Sequence, residues 1–268
     1  MTLSTTPISF SRNNSAPTRP RLVSDSLQMV GRSLRHTVRG VETLLISVML
    51  PVILLLLFVY VFGGALGGED YVDYVVPGII VLCAGFGASQ TAVSVATDLS
   101  NGIIGRFRTM SIVSSAVLTG HVVASVARNV VATLLVFAVA FLAGFRPDAS
   151  ATGWLAVAGM LLLFVVAISW LSAALGLLAG NPEAANGVTF AVMFLPYLSS
   201  AFVPIETMPV VLQAISRHQP LTPVIDTLRA LLLGTPVGDS AWQAVVWMLV
   251  IGGGSAAMCG WLFRRRTA

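Results

Sequence analysis

The sequence predicts an all-α membrane protein: six transmembrane helices, a cytoplasmic N-terminal amphipathic helix, and external re-entrant helices before the last span. Three observations predict it. The 268 residues are 56% hydrophobic and 10% charged, against about 25% charged residues in ordinary soluble domains. Six apolar runs are each long enough to cross about 30 Å of hydrocarbon. Arginines gather before the first run and after the last, where a positive-inside topology with an even number of spans places them.

Residues 1–23 are rich in Ser, Thr, Asn, Pro and Arg with no apolar period, the composition of a disordered cytoplasmic tail. They lack the short apolar core of a secretory signal. Over 24–41 the pattern changes: Leu27, Val30, Leu34, Val38 and Val41 recur at helical spacing, with Arg32, Arg35 and Arg39 interleaved. Ser24 can cap this helix and Asp25 suits its first turn. It reads as a helix lying on the inner membrane surface, arginines toward anionic headgroups. The plainer alternative is a cytoplasmic extension of the first span.

The transmembrane domain covers 42–263. Its runs lie near 43–62, 74–97, 119–144, 154–179, 186–203 and 241–263, with Pro51 a kink in the first. Six arginines precede the first run (Arg12, Arg19, Arg21, Arg32, Arg35, Arg39), and the basic tail 264–268 carries Arg264, Arg265 and Arg266. The first external loop has Glu69, Asp70 and Asp73 without an arginine. Both termini are therefore expected in the cytoplasm.

Arg128 falls inside the third run, where an arginine at mid-helix costs roughly 2.5–3.5 kcal/mol. Snorkelling toward the cytoplasm, or a span that starts nearer Asn129, lowers that cost; a buried functional partner is the other reading. Cys83 and Cys259 sit in different runs at different depths, too far apart to bridge, and read as buried, inert thiols. Small residues recur every fourth position as Ala84, Ala88, Ala92 and Ala96, as Ser172, Gly176 and Gly180, and as Gly252, Ala256 and Gly260. Each series makes a face that another helix can approach closely, within this chain or in a second copy.

Between the fifth and sixth runs, 204–239 is too long for a turn and too short to cross twice. It holds one short apolar piece at 208–216 and another built on Leu221, Val224, Ile225, Leu228, Leu231 and Leu232, with Asp226 and Arg229 offset. Pro204, Pro209 and Pro223 punctuate it. These features fit two short helices dipping into the outer leaflet, tolerated where protein covers their backbone. An amphipathic external cap fits equally.

Residues 98–120 are neither span nor external loop. Two arginines, Arg106 and Arg108, flank Phe107 just beyond Gly102, a pattern suited to a short amphipathic helix that touches a soluble partner at the membrane face. The rest of the chain excludes several chemistries. No lysine occurs, so there is no phosphate-binding loop, pyridoxal Schiff base or Ser-Lys dyad. The three histidines form no His-Glu-x-x-His, and no metal ligand set is expected. Gly87-Ala88-Ser89-Gln90 resembles an intramembrane serine site without its second glycine, and no histidine stands at its depth. No run holds an internal carboxylate, which counts against an ion-coupled secondary transporter. The arginines mark topology rather than nucleic-acid binding.

Several short motifs carry a family resemblance: Tyr74-Val75-Val76-Pro77-Gly78; Asp98 with Gly102-Ile103-Ile104-Gly105-Arg106-Phe107-Arg108; Gly144-Phe145-Arg146; Asn181-Pro182-Glu183; and Ala201-Phe202-Val203-Pro204 with Met208-Pro209. Pro220-Leu221-Thr222-Pro223, with Asp226 and Arg229, completes the set. In this order the chain resembles the permease subunits of ABC type-2 exporters, especially the daunorubicin-resistance-like drug-efflux branch of high-GC Gram-positive bacteria. The chain departs from that pattern at Gly105, Ser111, Ser114 and His121, where relatives commonly carry an acid, a proline and two arginines.

The resemblance implies a non-catalytic half-transporter in a bacterial plasma membrane. A second permease subunit, identical or paralogous, would complete the pathway. Two separate ABC ATPase subunits would bind ATP and Mg, and this chain would hold no cofactor. Residues 99–118 would be the coupling helix, with Gly102, Arg106, Phe107 and Arg108 at the ATPase; the plainer reading makes the arginines positive-inside anchors. The pathway would pass the second and fifth runs, where Phe190, Met193, Phe194 and Tyr197 offer an adaptable apolar wall. The implied cargo is a hydrophobic or amphipathic drug or lipid-like molecule moved outward. A permease for a glycolipid or polysaccharide precursor is the alternative.

Overall fold

The structure is a computed structural model that describes residues 41–66, 71–101 and 114–267. The N-terminal tail, the surface helix expected over 24–41 except its last residue, and Gly102, Arg106, Phe107 and Arg108 lie outside the described residues.

Among the described residues every regular element is helical. Helix α1 (Val41–Leu56) carries Pro51 inside it and runs on through a wider π-type turn (Leu57–Phe62) and a last turn (Gly63–Leu66). Three long helices follow: α2 (Tyr71–Ser100), α3 (Ser114–Leu142) and α4 (Ala151–Ala179). Short helices come next: α5 (Pro182–Val192), then single 3-10 turns at Leu195–Leu198 and Ile205–Thr207, then α6 (Val210–His218) and α7 (Leu221–Leu232). Helix α8 (Ser240–Thr267) carries its helical backbone into the arginine tail. Five helices, α1 to α4 and α8, are long and apolar enough to cross a membrane.

Helix α2 is the hub. It packs against α1, α3, α4, α5 and α7, and 72% of its apolar window is buried, against 17% for α8. Its small-residue face explains how so many neighbours fit: Ala84, Ala88, Ala92 and Ala96 are all fully buried. Opposite Ala92 stands Gly176 of α4, where an added Cβ would lie 2.4 Å from the Ala92 carbonyl oxygen. Gly252 of α8 meets Ala167 of α4 in the same way, at 3.2 Å. At these points the small-residue faces are seams within one chain, where backbones approach closely enough for dispersion to replace hydrophobic driving force. Both cysteines are free and buried, as expected.

The fifth run departs from the expectation of one continuous helix over 186–203. Its helix starts earlier, at Pro182, and ends at Val192. At 1.5 Å per residue such a helix rises about 16 Å, roughly half the hydrocarbon thickness. Pro196 gives the reason: its ring would meet the carbonyl four residues back, which is that of Val192, and it supplies no N–H to continue the ladder. The two apolar pieces of the following segment do form a pair of helices, α6 and α7. Helix α7 buries Leu221, Val224, Ile225, Leu228 and Leu232 against α2, α4 and α8, whereas α6 leaves Val210, Val211 and Ile215 exposed.

Candidate functional site

At the Tyr71 end of α2, motifs distant in sequence converge. Gly78 lies beneath Ala201, with an added Cβ only 2.6 Å from the Ala201 carbonyl oxygen; this joins the Pro77-Gly78 and Ala201-Phe202 motifs. The Arg146 N–H donates to Asp73 Oδ1 at 3.2 Å and Phe145 is fully buried, which brings in the third motif. Pro204 and Pro209 stand just before the Ile205–Thr207 turn and α6, and Pro223 is buried in the first turn of α7. Asn181-Pro182-Glu183 serves the far end of α4: Gly180 adopts φ 75°, Asn181 Oδ1 accepts from the Ala184 N–H, and Pro182 opens α5. That is a tight reversal built from a left-handed glycine, a side-chain cap and a proline.

Where α5 gives out, the backbone loses its own hydrogen-bond partners, and side chains from other elements take over. Ser216 Oγ and Gln219 Nε2 donate to the Leu198 carbonyl at 2.5 and 2.6 Å. Tyr74 Oη and Arg229 Nη2 donate to that of Ser200 at 2.9 and 2.6 Å. Tyr71 Oη donates to that of Phe202 at 2.9 Å. Alternate carbonyls along 198–202 are thus each held by a distant donor, which satisfies irregular backbone inside a membrane protein.

Arg229 is the centre of this arrangement. Its Nε donates to the Tyr74 carbonyl at 3.2 Å and its Nη1 to Asp226 Oδ1 at 2.8 Å, while the guanidinium lies 3.8 Å from the Tyr74 ring centroid. Asp226 also accepts from Ser200 Oγ at 2.6 Å. The sequence singled out Asp226 and Arg229 but missed Tyr71, Ser200, Ser216 and Gln219, whose roles depend on contacts with residues far along the chain.

At the opposite end of α2, that helix and α3 are tied together: His121 Nε2 and Asp98 Oδ2 lie 2.9 Å apart. Two helical turns farther in, about 10 Å, Arg128 Nη2 reaches Thr91 Oγ1 of α2 at 3.4 Å. The α3 helix begins well before Arg128, at Ser114. Its neighbour Asn129 is buried against Gly87, donates from Nδ2 to the Ser125 carbonyl at 3.0 Å, and leaves Oδ1 without a hydrogen-bond partner. Ser125 also pairs with Ser169 of α4 at 2.8 Å. A buried polar layer therefore crosses α2, α3 and α4.

The four residues expected on the pathway divide. Phe190, Phe194 and Tyr197 are exposed and form a line of rings, 5.1 Å between Phe190 and Phe194 and 6.1 Å between Phe194 and Tyr197. The line continues through Phe202 to Phe58 in the π-type turn after α1, at 5.2 and 4.5 Å. Met193 instead faces inward, onto a cavity of about 70 Å³ bounded by α2, α4, α5, α7 and α8. Sites for drug-sized ligands enclose about 300–1,000 Å³, so this cavity would have to open to admit one. Among the described residues, no three His, Cys, Asp or Glu side chains gather where they could hold a metal ion.

The frame and its motifs agree with comparisons to known proteins. The ABC-2 type transporter family matches residues 26–233. The chain is 35% identical over 225 residues to the daunorubicin resistance ABC transporter permease protein DrrB1 of Streptomyces coeruleorubidus, an alignment covering 82% of this chain and 78% of that protein. It is 23% identical over 232 residues to the probable doxorubicin resistance ABC transporter permease protein DrrC of Mycobacterium tuberculosis (strain H37Rv), covering 84% and 83% of the two chains. With hydrophobic helices around a buried hub, and a family match extending over most of its length, the chain belongs to the ABC-2 type transporter family.

Proposed function

We propose that this chain is the membrane subunit of an ATP-driven exporter that moves a hydrophobic or amphipathic drug, or a lipid-like cargo, outward across a bacterial plasma membrane. The likeness to daunorubicin and doxorubicin resistance permeases carries this reading. The absence of lysine supports the division of labour: a phosphate-binding loop needs that residue, so two partner ATPases bind ATP and Mg.

In this reading both termini are cytoplasmic, and α5 with the turns after it makes the fifth of six crossings. The Asp98–His121 tie stands at the cytoplasmic side, at the root of the coupling segment. Gly102, Arg106, Phe107 and Arg108 dock on an ATPase, the arginines by charge and Phe107 by packing. The Tyr74–Arg229 cluster and the α6–α7 pair stand at the outer side. A second permease subunit, identical or paralogous, faces α2 and α5, and cargo passes along the exposed line of Phe190, Phe194 and Tyr197, with Met193 behind it. ATP binding favours one of two arrangements of the subunits, so cargo is exposed to each side in turn.

The test is reconstitution of the chain in liposomes with and without a partner ABC ATPase subunit. Outward movement of daunorubicin that needs both proteins and ATP supports the proposal. Movement by the chain alone, or movement driven by an ion gradient, refutes it.

A further inference from the structure

We infer that the cavity behind Met193 is a binding site for a bilayer phospholipid, holding the end of one acyl chain inside the subunit. The wall chemistry comes first. Leu82 and Phe164 form part of the lining; among the described residues no charged side chain lines the cavity, and the polar ones that do are Ser89, Ser172 and Thr189. Ser89 Oγ donates to the Phe86 carbonyl at 2.7 Å and Thr189 Oγ to that of Ala185, so both hydroxyl protons are committed within their own helices. Ser172 is itself buried. Such a wall orients neither a charged headgroup nor a polar ring substituent.

Size separates a chain from a ring. An apolar cavity of about 150 Å³ accepts benzene; this one is about 70 Å³, room for a tapering methylene end and not for an aromatic system. Position supplies the source. Helices α5 and α8 both pack on α4 and contribute little contact to one another. Half-buried Val192 and Met193 face half-buried Ile251 across the cavity. The cavity they line lies within the membrane domain, where the surrounding solvent is lipid tails. A tail entering from hydrocarbon gains no hydrophobic free energy and is held by packing alone. The site therefore fills by mass action and exchanges freely.

Gly85 makes the inference testable. It lines the cavity, and a Cβ built on it meets no atom within 4 Å, so a side chain can start there without a clash at its first carbon. The full-length chain is placed in phosphatidylcholine nanodiscs containing a trace of phosphatidylcholine with a diazirine at the far end of one acyl chain. Irradiation is expected to cross-link the probe to peptides holding Met193 and Met248, and Gly85→Leu is expected to cut that yield severalfold. Gly159→Leu, at an exposed glycine with nothing within 4 Å of its Cβ, leaves the yield unchanged. Gly85→Val replaces Gly85→Leu should the larger variant fail to elute as a folded species.

Equal labelling in the filled variant overturns the site. So does equal labelling by a probe whose diazirine sits beside the headgroup. Displacement of the probe by daunorubicin overturns the choice of lipid and assigns the cavity to cargo. None of these readouts depends on ATP, so a failure here is distinct from a failure of the export proposal.

Discussion

The guanidinium of Arg229 sits 3.8 Å above the ring of Tyr74 while donating from its three nitrogens to three different oxygens. A residue of α7 is thereby fastened to the beginning of α2 and to the turn that ends the fifth run. A flat, forked cation is the side chain that can do this.

The first prediction concerns that pair. Arg229→Lys is expected to behave like Arg229→Gln, because a point charge cannot serve the three acceptors. A double-mutant cycle in thermal or denaturant unfolding should give Tyr74→Leu with Arg229→Gln a larger coupling than Tyr74→Phe with Arg229→Gln. The excess is expected to be about 1 kcal/mol, the scale of a partly buried cation–π contact. Equal couplings would place the whole effect in the Tyr74 hydroxyl.

A second prediction comes from the seam between α2 and α4. Gly176→Ala puts a methyl 2.4 Å from the Ala92 carbonyl oxygen and must push the helices apart, at a cost of about 1–3 kcal/mol. Gly159→Ala, with open space around it, should be neutral or slightly stabilising. Comparing the unfolding midpoints of the two variants checks the claim.

Asn129 gives a prediction of unusual sign. Its Oδ1 is buried without a partner, so replacing the amide by an apolar group of similar shape removes a desolvation cost along with the amide's two bonds to Ser125, one of them long at 3.4 Å. Asn129→Leu is expected to match or exceed wild-type stability, by up to about 1 kcal/mol. A loss of several times that amount would mean that the amide satisfies more than these contacts.

Where α2 ends and α3 begins, Asp98→Asn keeps an acceptor for His121 whereas Asp98→Ala does not. The two side chains are 31% and 23% exposed, so the alanine variant should lose only about 0.5–1.5 kcal/mol and the asparagine variant less. Unfolding midpoints of the two variants measure the difference.

Replacing both Arg106 and Arg108 by alanine tests the coupling role itself. Loss of two charge-assisted contacts should weaken ATPase docking by at least about tenfold. Cargo-stimulated ATP hydrolysis by the reconstituted complex should fall with it. Unchanged stimulation would return these arginines to the status of topology anchors.

The parts of this molecule legible in its sequence are those set by local pattern. Apolar length marks α1, α2, α3, α4 and α8. The four-residue recurrence of alanine marks the face on which α2 receives α4. Two apolar pieces at helical spacing mark α6 and α7. The early end of α5 was also written in the sequence, in Pro196, but hydropathy outweighed it because Pro51 and Pro77 sit inside helices that continue. What local pattern does not carry is the set of donors around 198–202. Tyr71 and Phe202 are 131 positions apart, and Tyr74 and Ser200 are 126 apart. Likewise, a methionine and three aromatics four or fewer positions apart look alike in sequence; only the packing of α5 on α2 and α4 turns Met193 inward and leaves the rings outside.

The donors that hold 198–202 come from both sides of it: Tyr71 and Tyr74 precede it, and Ser216, Gln219 and Arg229 follow. A nascent chain emerging from a translocon therefore cannot complete this part of itself when the fifth run first appears, because three of its five donors have not yet been synthesised. Truncations ending before Arg229 should be recognised and degraded by membrane quality control, while the first four hydrophobic segments insert without them.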